Sequence, residues 1–128
     1  MEYLPDKVTK TATLQLVEGL AEIHDLDVCH RDLAPTNVRI DINGNLKYFD
    51  FGISKIMVGN IGLHTKNCVT RCYRPPEIFY GDRNYTKKVD IWSAACLIYE
   101  LNTGDVLFAG TSDIEVICKL FNIRGTPK

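Results

Sequence analysis

The chain has 128 residues, 45% of them hydrophobic and 24% charged, and a formal net charge of −1. That composition suits one soluble globular unit with a core of its own, and a pI near 6.3 gives no electrostatic reason to expect nucleic acid or an anionic membrane as partner. The opening MEYLPDKVTK lacks the apolar stretch of a signal peptide, and no run approaches membrane-spanning length.

From Thr9 to about Asp25 the residues Ala12, Leu16, Val17, Leu20, Ala21 and Ile23 recur at the spacing of one helix face. Val28-Cys29 then leads into the polar string His30-Arg31-Asp32-Leu33-Ala34-Pro35-Thr36-Asn37. Val38 to Ile42 and Leu46 to Phe49 read as the strands of a short hairpin, with Asn43-Gly44 as its tight reversal. Such a hairpin holds Asn37 before its first strand and Asp50 after its second, so two residues thirteen apart in sequence converge at one end. Lys87 to Asn102 is the next helix, between Thr86 and Thr103-Gly104. Trp92, Ala95, Cys96, Leu97, Ile98, Tyr99 and Leu101 cover most of its circumference, which predicts burial on several sides. Ser112-Asp113-Ile114-Glu115 has the form of a capping box opening a third helix, and Gly125 fits its stop.

Cys29, Cys68, Cys72, Cys96 and Cys118 are odd in number and form no CxxC pair, which predicts reduced thiols in an intracellular protein of cytoplasm or nucleus. His64, Cys68 and Cys72 number only three and lack finger spacing, so a zinc site is not expected.

The chemistry concentrates in His30, Arg31, Asp32, Asn37, Asp50 and Gly52. Singly, such Asp and Asn residues read as turn or cap residues; the string HRDLAPTN followed by Asp50-Phe51-Gly52, in that order and spacing, is far more specific. It resembles the catalytic loop and metal-binding loop of eukaryotic protein kinases. Thr70-Arg71-Cys72-Tyr73-Arg74-Pro75-Pro76-Glu77, Asp90-Ile91-Trp92-Ser93, Leu107-Phe108-Ala109-Gly110 and Arg124-Gly125-Thr126-Pro127 are similar to segments of cyclin-dependent kinases, and the likeness covers essentially the whole chain.

The resemblance implies a role for each residue. Asp32 would accept the proton of, or orient, the attacking hydroxyl. Asn37 and Asp50 would hold Mg²⁺ and, through it, ATP, because Mg²⁺ prefers hard oxygen ligands. Thr65 falls at the activating phosphothreonine, whose charge of roughly −1.5 to −2 Arg31 and Lys55 would hold. His30, Gly52, Thr70, Glu77 and Asp90 would support the site, Asp90 by bonding the backbone of the HRD loop. A carboxylate inside an apolar helix is costly without such partners. Proline-directed choice of substrate is also implied, with Arg74 as its indirect support.

One departure is chemical. Serine/threonine kinases usually carry Lys two residues after the catalytic Asp, where Ala34 stands, and tyrosine kinases can place Arg where Thr36 stands. A cation that would stabilise developing charge is missing. The resemblance also implies that the small lobe, with its glycine-rich loop, strand Lys and helix Glu, lies outside these residues. The same holds for the last helices and the usual Arg partner of Glu77. The expected fold is thus a mainly α kinase large (C-terminal) lobe with one small β-hairpin, residues 1–128 forming a partial kinase domain incomplete at both ends. The expected function is ATP- and Mg²⁺-dependent phosphoryl transfer to Ser or Thr of a protein substrate, with a cyclin-type regulator as implied partner. The alternative is an inactive kinase fragment or pseudokinase-like binding module.

Overall fold

A computed structural model describes residues 5–57 and 69–126. Helix α1 spans Asp6–Asp25, starting before Thr9 because Pro5 (φ −56°) turns its carbonyl onto the N–H groups of Val8 and Thr9 at 2.8 and 3.1 Å. Its buried face is Thr9, Ala12, Leu16 and Leu20. Val17 and Ala21, expected on that face, are exposed, so the apolar stripe is narrower than the periodicity suggests.

Strand β1 (Val28–Cys29) pairs antiparallel with β4 (Lys55–Ile56), and β2 (Val38–Ile40) with β3 (Leu46–Tyr48). The pair β2–β3 is the expected hairpin, and β1–β4 is a second small sheet beside it among the described residues. The hairpin strands are shorter than the sequence suggests because Asp41 ends them. Its carboxylate accepts from the N–H groups of Asn43 and Asn45, both at 2.9 Å, making a longer loop in which Gly44 takes φ +82°. Those backbone bonds lower the Asp41 pKa.

Gln15 of α1 docks the hairpin: its Oε1 accepts from Leu46 N at 2.6 Å and its Nε2 donates to Gly44 O at 3.3 Å. Tyr48 donates its hydroxyl to Leu16 O. Burial, and then the charge of Asp90, push that hydroxyl far above its ordinary pKa, so it stays a donor. Gly19 lets the ring approach, since a Cβ there would lie 2.7 Å from Tyr48 Cε2.

Helix α2 (Pro76–Phe79) is one turn, and α3 (Lys88–Thr103) ends at Gly104 with φ +77°. Val89, Asp90, Ser93, Ala94, Cys96 and Leu97 of α3 are buried, but Ile91, Ala95 and Tyr99, four residues apart, form an exposed stripe. Burial is thus on one broad side, not all round. Burial raises the Cys96 thiol to about 12, so it behaves as a small apolar residue. Helix α4 (Asp113–Arg124) has Ser112 as N-cap, accepting from Glu115 N at 3.2 Å. The reciprocal bond differs from the expected box: Glu115 takes Thr111 N and Oγ1 at 2.7 and 3.0 Å. The main core joins Leu16, Leu20, Leu33, Tyr73, Leu97, Phe108, Val116 and Leu120; a second gathers Cys29, Val69, Ile78, Tyr85 and Val89.

Gly19→Ala gains about 1 kcal/mol of helix propensity but crowds a pinned ring, and overpacking costs roughly 1–3 kcal/mol. The urea midpoint of Gly19→Ala should fall in the natural chain and rise in a Tyr48→Ala background. A fall in both would remove the ring as the cause.

Candidate active site

The polar string leaves β1 at Cys29 and is held from beneath by Asp90 in the first turn of α3. Asp90, 1% exposed, accepts from His30 N at 2.8 Å and Arg31 N at 2.9 Å. His24, from the last turn of α1, lies with Nε2 2.8 Å from Asp90 Oδ2. The carboxylate also sits where the positive end of the α3 dipole favours negative charge.

His30 is fully buried. Its Nδ1 accepts from Asp32 N at 3.3 Å and its Nε2 lies 2.9 Å from Phe49 O, a pattern met by the neutral tautomer protonated on Nε2. Its ring tilts against Phe51 at 4.7 Å. Ser54 Oγ donates to His30 O at 3.1 Å, and Arg31 Nε to Ile53 O at 2.5 Å. These bonds join the HRD and DFG segments into one unit. Arg31 (φ +70°) and Asp50 (φ +58°) both adopt the left-handed conformation, uncommon for residues with a Cβ. Asp50 Oδ1 accepts from Gly52 N at 3.2 Å, and a Cβ on Gly52 would lie 3.0 Å from that oxygen.

Asp32, half-buried, has both carboxylate oxygens engaged. Oδ1 accepts from Thr70 Oγ1 at 2.6 Å and Thr70 N at 3.1 Å; Oδ2 accepts from Asn37 Nδ2 at 3.1 Å. The same Nδ2 donates to Asp32 O at 2.8 Å. Asn37 O accepts from Phe49 N at 2.8 Å, which sets Asn37 beside the residue preceding Asp50. The convergence expected of the hairpin is therefore present. The Asn37 amide uses its nitrogen on Asp32 and keeps its oxygen, while Asp50 is exposed with one oxygen bound to Gly52. Two hard oxygen donors so presented fit Mg²⁺.

The other expected site residues are placed as follows. Two N–H groups of Arg31 go to Ile53 O and Tyr85 Oη, the latter at 3.1 Å. Lys55 stands in β4 opposite Cys29. Thr65, with His64 and Cys68, lies outside the described residues. Glu77 lies in the first turn of α2 and lines, with Trp92 and Arg124, a cleft of about 390 Å³. Ala34 is 1% exposed. A lysine there would have to leave the core to reach a phosphate.

Sequence reasoning missed His24, Ser54 and Tyr85, each a lone polar residue whose partner is distant in sequence. It also missed Arg71, whose Nε and a terminal nitrogen bind Asp113 Oδ1 at 2.8 Å and Thr111 O at 2.6 Å, tying the Thr70 segment to α4. Among the described residues no cluster of three His, Cys, Asp or Glu could hold a metal. None of the described helices is long and apolar enough to cross a membrane.

Residues 1–126 match the family model of the protein kinase domain. Over 119 residues, 92% of this chain, it is 41% identical to proteins named cyclin-dependent kinase 20 from Rattus norvegicus, Mus musculus and Homo sapiens. The matched stretch is 34% of those proteins, so the chain spans about a third of the length of the curated relatives it matches. With its HRD and DFG segments interlocked and its whole described length inside that match, the chain belongs to the protein kinase domain family, as a partial domain of the cyclin-dependent-kinase-like kind.

Proposed function

We propose that the chain is the large-lobe core of a kinase that transfers the γ-phosphoryl group of ATP, with Mg²⁺, to Ser or Thr hydroxyls of proteins. The observation that carries the reading is Asp32, held by Thr70 and by Asn37, whose backbone is bonded to the residue before Asp50. Asp32 Oδ1 already accepts two bonds and Oδ2 one. A carboxylate oxygen has two lone pairs, so Oδ2 is the atom left to take the proton of an incoming hydroxyl. Thr70 and Asn37 fix the plane of the carboxylate, which orients the nucleophile. Asn37 Oδ1 and Asp50 would hold Mg²⁺, which when bound offsets charge on the phosphate oxygens.

A phosphorylated Thr65, bound by Arg31 and Lys55, is the proposed activating signal; a cyclin-type protein is the proposed regulator. An intracellular setting in cytoplasm or nucleus is proposed from the odd number of cysteines and the lack of a CxxC pair. The specific observation favouring a non-catalytic, binding-module reading is buried Ala34 in place of a cation. The assay that separates the two readings is radiolabelled γ-phosphate transfer to a peptide. It is run on the chain and on a fusion supplying a compatible small lobe, each with an Asp32→Asn control. Mg·ATP binding without transfer in the fusion would favour the binding module.

In the active fusion, Asp32→Asn should lower turnover by about 10²–10⁴-fold, the span for losing a positioned general acid–base group. Equal rates would remove Asp32 from the mechanism. Asp50→Asn should raise the Mg²⁺ concentration needed for half-maximal rate, because a charged ligand becomes a dipole. An unchanged Mg²⁺ dependence would exclude Asp50 as a ligand.

Asp90→Ala leaves two buried N–H groups and an imidazole without their acceptor, and each unsatisfied group costs about 1–3 kcal/mol. Chemical denaturation should show a loss on the order of 3 kcal/mol, with amide exchange at His30 and Arg31 rising before the rest of the chain. A loss below about 1 kcal/mol would mean that water replaces the carboxylate.

A further inference from the structure

Thr70, whose N–H and hydroxyl hold Asp32, is followed at once by Arg71, a cation that the reaction as proposed does not use. The Arg71 side chain is exposed and reaches the start of α4. Its Nε donates to Asp113 Oδ1 at 2.8 Å and its Nη1 to Thr111 O at 2.6 Å. Its other terminal nitrogen, Nη2, makes no hydrogen bond among the described residues. Asp113, itself exposed, is shared: Arg74 Nη1 lies 3.7 Å from its Oδ2. One carboxylate thus answers two guanidiniums. Glu115, the next acid along α4, is turned onto Thr111 N and Oγ1 and feels the charge of Lys119 on the same helix. This corner therefore keeps positive charge in excess, one residue from Thr70.

We propose that Arg71, backed by Arg74, selects protein substrates carrying an anionic side chain, a carboxylate or a phosphate monoester, within about three residues of the acceptor hydroxyl. The proposal rests on the reading of Asp32 as the residue that receives that hydroxyl, and it names a substrate class for the same site. An extended peptide advances roughly 3.3 Å per residue, so a substrate residue that close to the acceptor passes the segment carrying Thr70 and Arg71. A guanidinium presents its N–H groups in a rigid planar fork that fits carboxylate and phosphate oxygens. Asp113 and Thr111 use only part of that fork. A solvent-exposed ion pair adds little stability, so a clasp between this segment and α4 gives no reason for a second guanidinium on Asp113. An incoming anion gives one, because it answers the charge that Asp113 leaves over.

The test measures binding of the purified chain to fluorescent peptides of one sequence with a single Ser. Glu, Gln or phosphoserine is placed in turn at each position from three before that Ser to three after it. The unmodified chain should bind Glu peptides about 3- to 5-fold more tightly than Gln peptides, at one or two positions only, and phosphoserine peptides more tightly still. The preference should shrink as salt is raised. Arg71→Gln should abolish it while leaving the Gln peptides unchanged. Asp113→Asn should strengthen it, because a competing carboxylate is gone. A purely structural Arg71 predicts the opposite, since either substitution would open the clasp and weaken every peptide alike. Both side chains are exposed, so far-ultraviolet circular dichroism of the two variants should match the parent.

Equal binding of Glu, Gln and phosphoserine peptides, or no binding of any, would overturn the proposal. So would a Glu preference of the same size at every position, which is a general charge effect, or a preference that survives Arg71→Gln. Preference for Glu without phosphoserine would support the proposal with acidic sequences as the source of the anion. The reverse would support it with previously phosphorylated ones. The reading of Asp32 is judged separately, by phosphate transfer in the fusion. Transfer that Asp32→Asn abolishes, together with no peptide preference, would sink the role of Arg71 and keep that of Asp32. Preference without transfer would do the reverse.

Discussion

The Asp90 carboxylate is the point on which the site depends. It lies in the first turn of α3, is 1% exposed, and receives the N–H groups of His30 and Arg31 together with the His24 ring. One buried anion thus joins the end of α1, the start of α3 and the loop carrying Asp32. A neutral side chain of similar size could not satisfy all three groups without leaving a buried donor short of an acceptor. The same constraint explains the left-handed Arg31, whose N–H must reach Asp90 while its guanidinium turns to Ile53 O. Backbone strain of this kind persists where the surroundings over-determine it.

From that anchor the second loop is placed by bonds in each of which at least one partner is a main-chain atom. His30 reaches Phe49 O, Ser54 reaches His30 O, and Phe49 N reaches Asn37 O. Side chains free for chemistry are then those that the scaffold leaves over: one oxygen of Asp32, the amide oxygen of Asn37 and the carboxylate of Asp50. The left-handed turn at Asp50 is tolerable because Gly52 gives its N–H and no Cβ crowds the carboxylate.

Much of this was legible in the sequence, for identifiable reasons. The helices announce themselves by long periodic patterns and by Gly104 and Gly125 at their ends. The motifs that mark Asp32, Asn37 and Asp50 are local strings. What was not legible depends on partners far apart in sequence. Nothing near His24 points to Asp90, sixty-six residues away. Nothing near Glu115 says that Thr111, not Ser112, will supply its donors. The hairpin strands came out short because Asp41 competes for the backbone donors that a ladder would use, a choice that residue periodicity does not encode. Exposure of Val17, Ala21 and the Ile91–Ala95–Tyr99 stripe likewise depends on what packs against each helix, and not on apolar spacing alone.

If Asn37 and Asp50 are the Mg²⁺ ligands proposed, the hairpin between them would act as a chelate ring closed in advance. Bringing together the ends of a flexible segment of thirteen residues costs roughly 2 kcal/mol of loop entropy. Here that cost falls on folding, through β2, β3 and the Gln15 clasp on Leu46 and Gly44. If Asn37 and Asp50 hold Mg²⁺ as proposed, the cation would meet two ligands whose chain segments the hairpin has already brought together. Its affinity would then be thermodynamically linked to a side chain at the other end of the hairpin. Loosening Gln15 would raise the entropy of the empty ring, and the binding constant would carry the difference.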